Sequence, residues 1–126
     1  MLPGGIKRKI KKQNINTHTK INFMLKVTVL YAQPTDPELF EKYYAESHIP
    51  LIGKVQGIEK VELTRFMPNA DDTPAACYRM AELYFAGPIQ MQQALSSPEG
   101  QALAADLPNF ATGGATVIAG VVENLI

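Results

Sequence analysis

The residues able to do chemistry gather in Tyr43-Tyr44-Ala45-Glu46-Ser47-His48-Ile49-Pro50-Leu51. Histidine changes charge between about pH 5 and 8, which suits it to moving protons near neutrality. His48 sits at the expected end of a helix, beside two tyrosines and just before an apolar turn. That is how a proton-transfer group would be mounted at the mouth of a pocket. A helix-end histidine can also simply cap the last carbonyls. Glu46, two residues away, faces elsewhere on the helix and is a poor partner for the ring. Better partners come from the strands: Tyr31 closing the first, Arg65 near the end of the second, and Glu82 and Tyr84 in the third. Glu82 is the third strand's only acid, and a carboxylate on an aromatic face is either paired or raised in pKa. An Arg65–Glu82 pair on adjacent strands is therefore expected. Asp106 and Asn109 precede the last strand and could reach the pocket mouth, although Asp106 also reads as an ordinary exposed helix-end acid. A histidine base with tyrosine or arginine donors for a developing oxyanion supports proton abstraction next to a carbonyl or phenol. Isomerisation, cyclisation, dehydration and cofactor-free oxygenation all begin that way.

The elements that must hold these groups follow from local pattern. Met24 to Tyr31 alternates and is rich in β-branched residues, so it predicts a strand. Asp36-Pro37 is an N-cap followed by proline at the first helical position. The helix it opens is expected to run to about His48, with Pro50 forbidding simple continuation. Phe40, Tyr44 and His48 then share one stripe. An apolar crossing over 49–55 is closed by Gly57. Strands are expected over 58–66, 78–85 and 115–122, with helical pieces over 90–95 and from Ser97-Pro98 to Leu107. The order βαββαβ is the ferredoxin-like α+β arrangement. In the last strand, Val117, Ala119 and Val121 alternate with Ile118, Gly120 and Val122, so both sheet faces read as apolar. A second apolar face has to be covered, and a second copy laid sheet to sheet would cover it. A homodimer with a cavity between the sheets is the expectation.

Composition narrows the remaining choices. The chain of 126 residues carries 12 basic and 12 acidic groups. All six charged residues before Met24 are basic (Lys7, Arg8, Lys9, Lys11, Lys12 and Lys20), which leaves the rest at a net charge of −6. Residues 1–23 thus read as a basic leader outside the core fold, and 24–126 as one acidic domain. An acidic body repels phosphate, and the third strand lacks the glycines of an RNA-binding RNP1 pattern, so no nucleic-acid partner is expected. No apolar run approaches the roughly 20 residues of a membrane span. The single cysteine, Cys77, forbids an internal disulfide and reads as a small apolar filler, and with no secretory signal the expected compartment is the cytoplasm. No GxGxxG or P-loop is present, and one histidine in the body is too few for a metal site, so neither cofactor nor metal is expected.

Pro34-x-Asp36-Pro37, Phe40-x-x-Tyr43-Tyr44-x-x-x-His48-x-Pro50-Leu51 and Gly57-Ile58 form one set of motifs. Glu82-Leu83-Tyr84-Phe85, Ser97-Pro98-Glu99-Gly100 and Asp106-Leu107-Pro108-Asn109-Phe110 form a second. Together they resemble the EthD family, named for a small bacterial protein associated with degradation of ethyl tert-butyl ether, over residues 24–126. The resemblance implies a dimeric α+β barrel with a ligand cavity on the open sheet face. It implies relatives of similar build among cofactor-free monooxygenases, polyketide cyclases and muconolactone isomerase, and members that accompany a partner oxygenase system. With the residue reading it makes His48, Tyr44 and Arg65 the catalytic candidates. Tyr31, Tyr43, Glu82, Tyr84, Asp106, Asn109 and Phe110 become contacts for a small hydrophobic or aromatic ligand. The competing expectation is a non-catalytic module that binds such a metabolite or supports the oxygenase.

Overall fold

The computed structural model describes residues 24–124; the expected basic leader, residues 1–23, lies outside them. Eight elements follow in order: β1 (Leu25–Tyr31), α1 (Pro37–Tyr43), α2 (Ile49–Ile52), β2 (Lys60–Arg65), β3 (Arg79–Phe85), α3 (Pro88–Ser96), α4 (Pro98–Ala105) and β4 (Ala115–Val121). The strands form one sheet in the order β2-β3-β1-β4, every neighbour antiparallel. This is the ferredoxin-like α+β fold expected from the element order, in which each crossover skips one strand. Among the described residues no helix is long and apolar enough to cross a membrane.

Strand alternation decides which side chains meet the helices. Val27 pairs across with Leu83 and Ala119, and Val29 with Ala81 and Val117. These residues and Tyr31 share the helix-covered face, while Lys26, Thr28 and Leu30 point the other way. Tyr31, Phe40 and Phe85 are the most deeply buried large side chains. The Tyr31 and Phe40 rings meet edge-on at 5.4 Å, and Phe110 packs on Phe40 at 5.1 Å, the geometry favoured by ring quadrupoles.

α1 starts as its sequence dictates, with the Asp36 carboxylate accepting from the Glu38 and Leu39 amides and Pro37 in the first turn. It does not stop at His48. Tyr44–His48 form a wide π turn in which the Ile49 amide reaches back five residues to the Tyr44 carbonyl, and α2 then continues with Pro50 in its first turn. Widening the turn removes the need for the amide that proline lacks, so Pro50 bends the path without ending it. α3 spans more than the expected 90–95. α4 ends at Ala105 rather than Leu107, with Asp106 at its C-cap and a 3-10 turn over Leu107–Asn109. Ser97 caps α4 by accepting from the Gly100 amide at 3.0 Å. Gly100 is required there, because a side-chain carbon would collide with the Ala94 carbonyl of α3.

Two expectations about the sheet need correction. The face away from the helices is not broadly apolar: Lys26 pairs with Glu82 at 2.6 Å, and the Tyr84 hydroxyl donates to Glu62 at 2.7 Å. β1, β2 and β3 place charged and hydroxyl side chains on that side, and β4 places Thr116 there beside Ile118. The Arg65–Glu82 pair does not form. Arg65 stands opposite Arg79 and Glu62 opposite Glu82, so Arg65 and Glu82 occupy opposite faces. Tyr78, just before β3, packs against Phe40 at 5.0 Å.

Phe40→Ala should lower unfolding stability by about 3–5 kcal/mol, since it empties the centre of the aromatic cluster. Leu39→Ala, one residue away but 66 % exposed, should change it by less than about 0.5 kcal/mol. Urea denaturation of both variants checks the contrast; equal losses would mean the core is centred elsewhere.

Candidate functional site

His48 is presented by the π turn, on the covered side of the sheet, and is 3 % exposed. Its Nδ1 lies 2.8 Å from Oδ2 of Asp106. Oδ1 of Asp106 accepts from the Tyr43 hydroxyl at 2.6 Å and from Asn109 Nδ2 at 2.9 Å. Burial disfavours the Asp106 charge, but hydrogen bonds from Tyr43, Asn109 and His48 outweigh it and hold the carboxyl below its usual range. An ionised carboxylate only accepts, so the ring proton of a neutral His48 is carried on Nδ1 and the lone pair on Nε2. Tyr44 stacks on the imidazole at 5.8 Å and 13°, and Phe110 packs on it at 4.5 Å. The ring is thereby fixed in both position and tautomer.

His48 lines a cavity of about 300 Å³ between the helices and the sheet. Of the side chains lining it, Tyr31 and His48 alone carry a polar atom; the rest are aliphatic or glycine, from Val27 and Leu83 on the sheet to Leu103 on α4. The Tyr31 and Tyr44 hydroxyls are buried close to each other, yet neither meets hydrogen-bond geometry with a protein partner among the described residues. Burial raises both, Tyr44 to about 12 and Tyr31 further. Both keep their protons near neutrality. This cavity is under the helices, whereas the resemblance implied a ligand cavity on the open sheet face.

A second network supports Tyr44 from behind. Arg79 donates to Glu41 through Nε at 2.8 Å and Nη2 at 2.7 Å, and the Tyr78 hydroxyl donates to the same carboxylate at 2.8 Å. The Arg79 hydrogen bond is the main reason the Glu41 carboxyl is held below its usual range, against the opposing effect of burial. The Arg79 guanidinium stands 5.0 Å from the Tyr44 ring centre. Arg65 reaches only the rim of this network, 3.8 Å from Glu41, with its side chain 57 % exposed.

The structure thus brings together His48, Tyr31, Tyr43, Tyr44, Asp106, Asn109 and Phe110. Arg65 lies outside the cavity, and Glu82 and Tyr84 are on the opposite sheet face. Arg79 was passed over in sequence. Its signal was available: by alternation it shares a face with Ala81 and Leu83, and an inward arginine needs a carboxylate. A larger surface groove of about 400 Å³ runs along the outer side of the Tyr43–Phe110 stack, but His48 takes no part in it. Size does not locate the chemistry here.

Fold and site together define a ferredoxin-like α+β domain with a covered apolar cavity and one buried imidazole–carboxylate pair. Residues 32–114 match the family model described as the EthD domain, and the chain belongs to the EthD family. It is 37 % identical over 95 residues to an uncharacterized 11.0 kDa protein of the thcB-thcC intergenic region of Rhodococcus erythropolis, covering 75 % of this chain and 91 % of that one. The crystal structure of an EthD family protein from Bacillus halodurans superposes with a TM-score of 0.73 at 31 % identity, over 81 % of this chain and 99 % of that one. Two more distant structures share the fold. One is a hydroxynitrile lyase from Passiflora edulis (TM-score 0.65, 12 % identity, 83 % of this chain and 98 % of that one). The other is SnoaB, a cofactor-independent oxygenase from Streptomyces nogalater (TM-score 0.54, 14 % identity, 82 % of this chain and 93 % of that one).

Because folding lowers the Asp106 pKa from an ordinary value of 3.8, the unfolded chain binds that proton more tightly. The stabilisation is complete well above that value and is lost as pH falls through the folded pKa. Asp106→Asn should therefore be less stable than the parent at pH 7, and the difference should shrink from about pH 5 downward. Thermal unfolding of both proteins across pH 2 to 8 measures it; a gap that widens in acid would refute a stabilised carboxylate.

Proposed function

We propose that the protein is a cofactor-free acid–base catalyst that removes a proton from a small hydrophobic or aromatic molecule, with His48 as the general base. The observation that carries this reading is the 2.8 Å contact of Nδ1 with Asp106, which leaves Nε2 as the free nitrogen of a cavity-lining imidazole. Nε2 takes the proton from a carbon next to a carbonyl, or from a phenol. As the imidazolium forms, Asp106 offsets its charge across a buried hydrogen bond. Negative charge moves onto the substrate oxygen, where the unpaired Tyr31 hydroxyl can donate. With few polar groups in the cavity, that one donor counts for more than it would in water. Tyr44 and Phe110 hold the ring, and Tyr43 and Asn109 hold the carboxylate; these are positioning roles.

The protonated imidazole can return the proton elsewhere on the substrate, which completes an isomerisation or cyclisation. Alternatively the carbanion reacts with dioxygen. The lyase and the cofactor-independent oxygenase among the fold neighbours support a scaffold able to host proton abstraction; they bear on the fold rather than the substrate. The same reading takes the protein as a homodimer. Among the described residues nothing covers the sheet face away from the helices, and no strand pairs with the outer edge of β4.

A neutral bicyclic ketone such as 1-tetralone, followed by proton NMR in D₂O, tests the base directly. The wild type should accelerate exchange at the carbon beside the carbonyl, and His48→Gln should lose about 10²–10⁴-fold of that acceleration. Exchange at an unchanged rate in the variant removes His48 from the mechanism. In native mass spectrometry the principal species should have twice the 13.8 kDa chain mass; a monomer at micromolar concentration would remove the dimer from the proposal.

A further inference from the structure

The cavity is not evenly enclosed. At one end Tyr31 is 1 % exposed and His48 3 %. At the other, Leu95 is 37 % exposed, Val117 54 % and Ile118 53 %, yet all of these line the same space. The mouth therefore lies between the helical pair α3–α4 and the strand β4. Every side chain there is apolar: Leu95 and Ala104 on the helix side, Val117 and Ala119 on the strand side. A mouth open to water would ordinarily be polar. Polarity here runs the other way, with the polar atoms at the closed end. Among the described residues no lysine or arginine lines the cavity. An apolar cavity of about 150 Å³ accommodates benzene, so the 300 Å³ here suits one or two rings before the molecule must emerge.

We infer that the substrate is a neutral, single-headed amphiphile that enters polar end first. Its phenol or ketone oxygen meets His48 and Tyr31 at the closed end, and an alkyl or aryl tail leaves between α4 and β4 across Val117. This rests on the assignment of His48 as the base and adds the charge, orientation and shape of what it acts on. Substrates whose reacting end carries a carboxylate or phosphate are excluded, because a single hydroxyl donor with no cation at the closed end does not replace the water such an anion gives up. The exposed apolar lining of β4 is then part of the substrate site and becomes covered when the tail is bound.

Isothermal titration of the full chain with phenol, 4-ethylphenol, 4-butylphenol and 4-hexylphenol tests it, alongside the His48 ring resonances in NMR. Affinity should rise about fourfold for each methylene that the mouth covers, and each phenol should shift the His48 resonances. The carboxylate 4-hexylbenzoate should bind at least about tenfold more weakly than 4-hexylphenol, by the cost of burying an unpaired charge. Val117→Lys should flatten the chain-length series; its side chain is half exposed, and a thermal melt establishes that the variant is folded. A flat series in the wild type, with phenol still shifting His48, would overturn the inference and leave the proton-transfer reading standing. Equal binding of the benzoate would overturn the neutral head. Tails that gain affinity without touching the His48 resonances would reverse the orientation and overturn it. Tails that split a dimer would reassign the mouth to an interface between copies, also overturning it. If no phenol disturbs His48, both readings fall.

Discussion

The contact between His48 and Asp106 joins residues 58 apart in the chain, and the surrounding architecture is arranged to make it possible. A carboxylate taken out of water is destabilised by several kcal/mol unless donors replace its solvation. Three do so here: Tyr43 from the last turn of α1, His48 from the π turn, and Asn109 from the 3-10 turn after α4. Two of the three donors depend on an irregular piece of backbone. Had the helical path ended before Pro50, the ring would have no rigid mount. Had α4 continued to Leu107, Asp106 and Asn109 would lie on a regular helix, with no 3-10 turn to bring Asn109 back onto the carboxylate.

Tyr44 connects this pair to the second ion pair of the covered face. The imidazole stacks on its ring at 5.8 Å, and the Arg79 guanidinium stands 5.0 Å from the same ring. Arg79 is itself clamped by Glu41, so β3 and α1 are held together by two charge-assisted hydrogen bonds at the rim of the aromatic cluster. Against this well-satisfied periphery, the Tyr31 and Tyr44 hydroxyls are the exception. Leaving a buried hydroxyl unpaired costs on the order of 1–3 kcal/mol. Unpaired groups of this kind call for a reason, and here the two hydroxyls lie close to each other beneath the aromatic cluster.

Fold and chemistry are separable in this molecule. The fold is shared with proteins that are 12 % and 14 % identical to it and are described as a lyase and an oxygenase. What differs between such proteins is which side chains the common frame aims into the cavity. In this chain those are one imidazole, one phenol and a wall of aliphatic groups, with all the acid–base partners placed one layer behind.

Much of this was legible from residue order alone. Asp36-Pro37 and Ser97-Pro98 announce helix starts because capping is a local bargain between neighbouring atoms. The alternation of β1 announces a strand and its buried face for the same reason, and His48 on the stripe of Phe40 and Tyr44 follows from helical spacing. Asp106 and Asn109 could be suspected but not given partners, and Arg65, Glu82 and Tyr84 lie away from the His48 cavity. These placements have one physical origin. Periodicity says which residues share a face; it does not say which face of the sheet the helices will cover, or how a proline is absorbed. A π turn at Pro50 and the strand order β2-β3-β1-β4 are outcomes of packing the whole chain at once. The sequence by itself therefore determined the elements, the family and the histidine. Only the tertiary structure decided that the cavity lies beneath the helices, that Asp106 is the partner of that histidine, and that the open face of the sheet is charged, because each depends on contacts between segments dozens of residues apart.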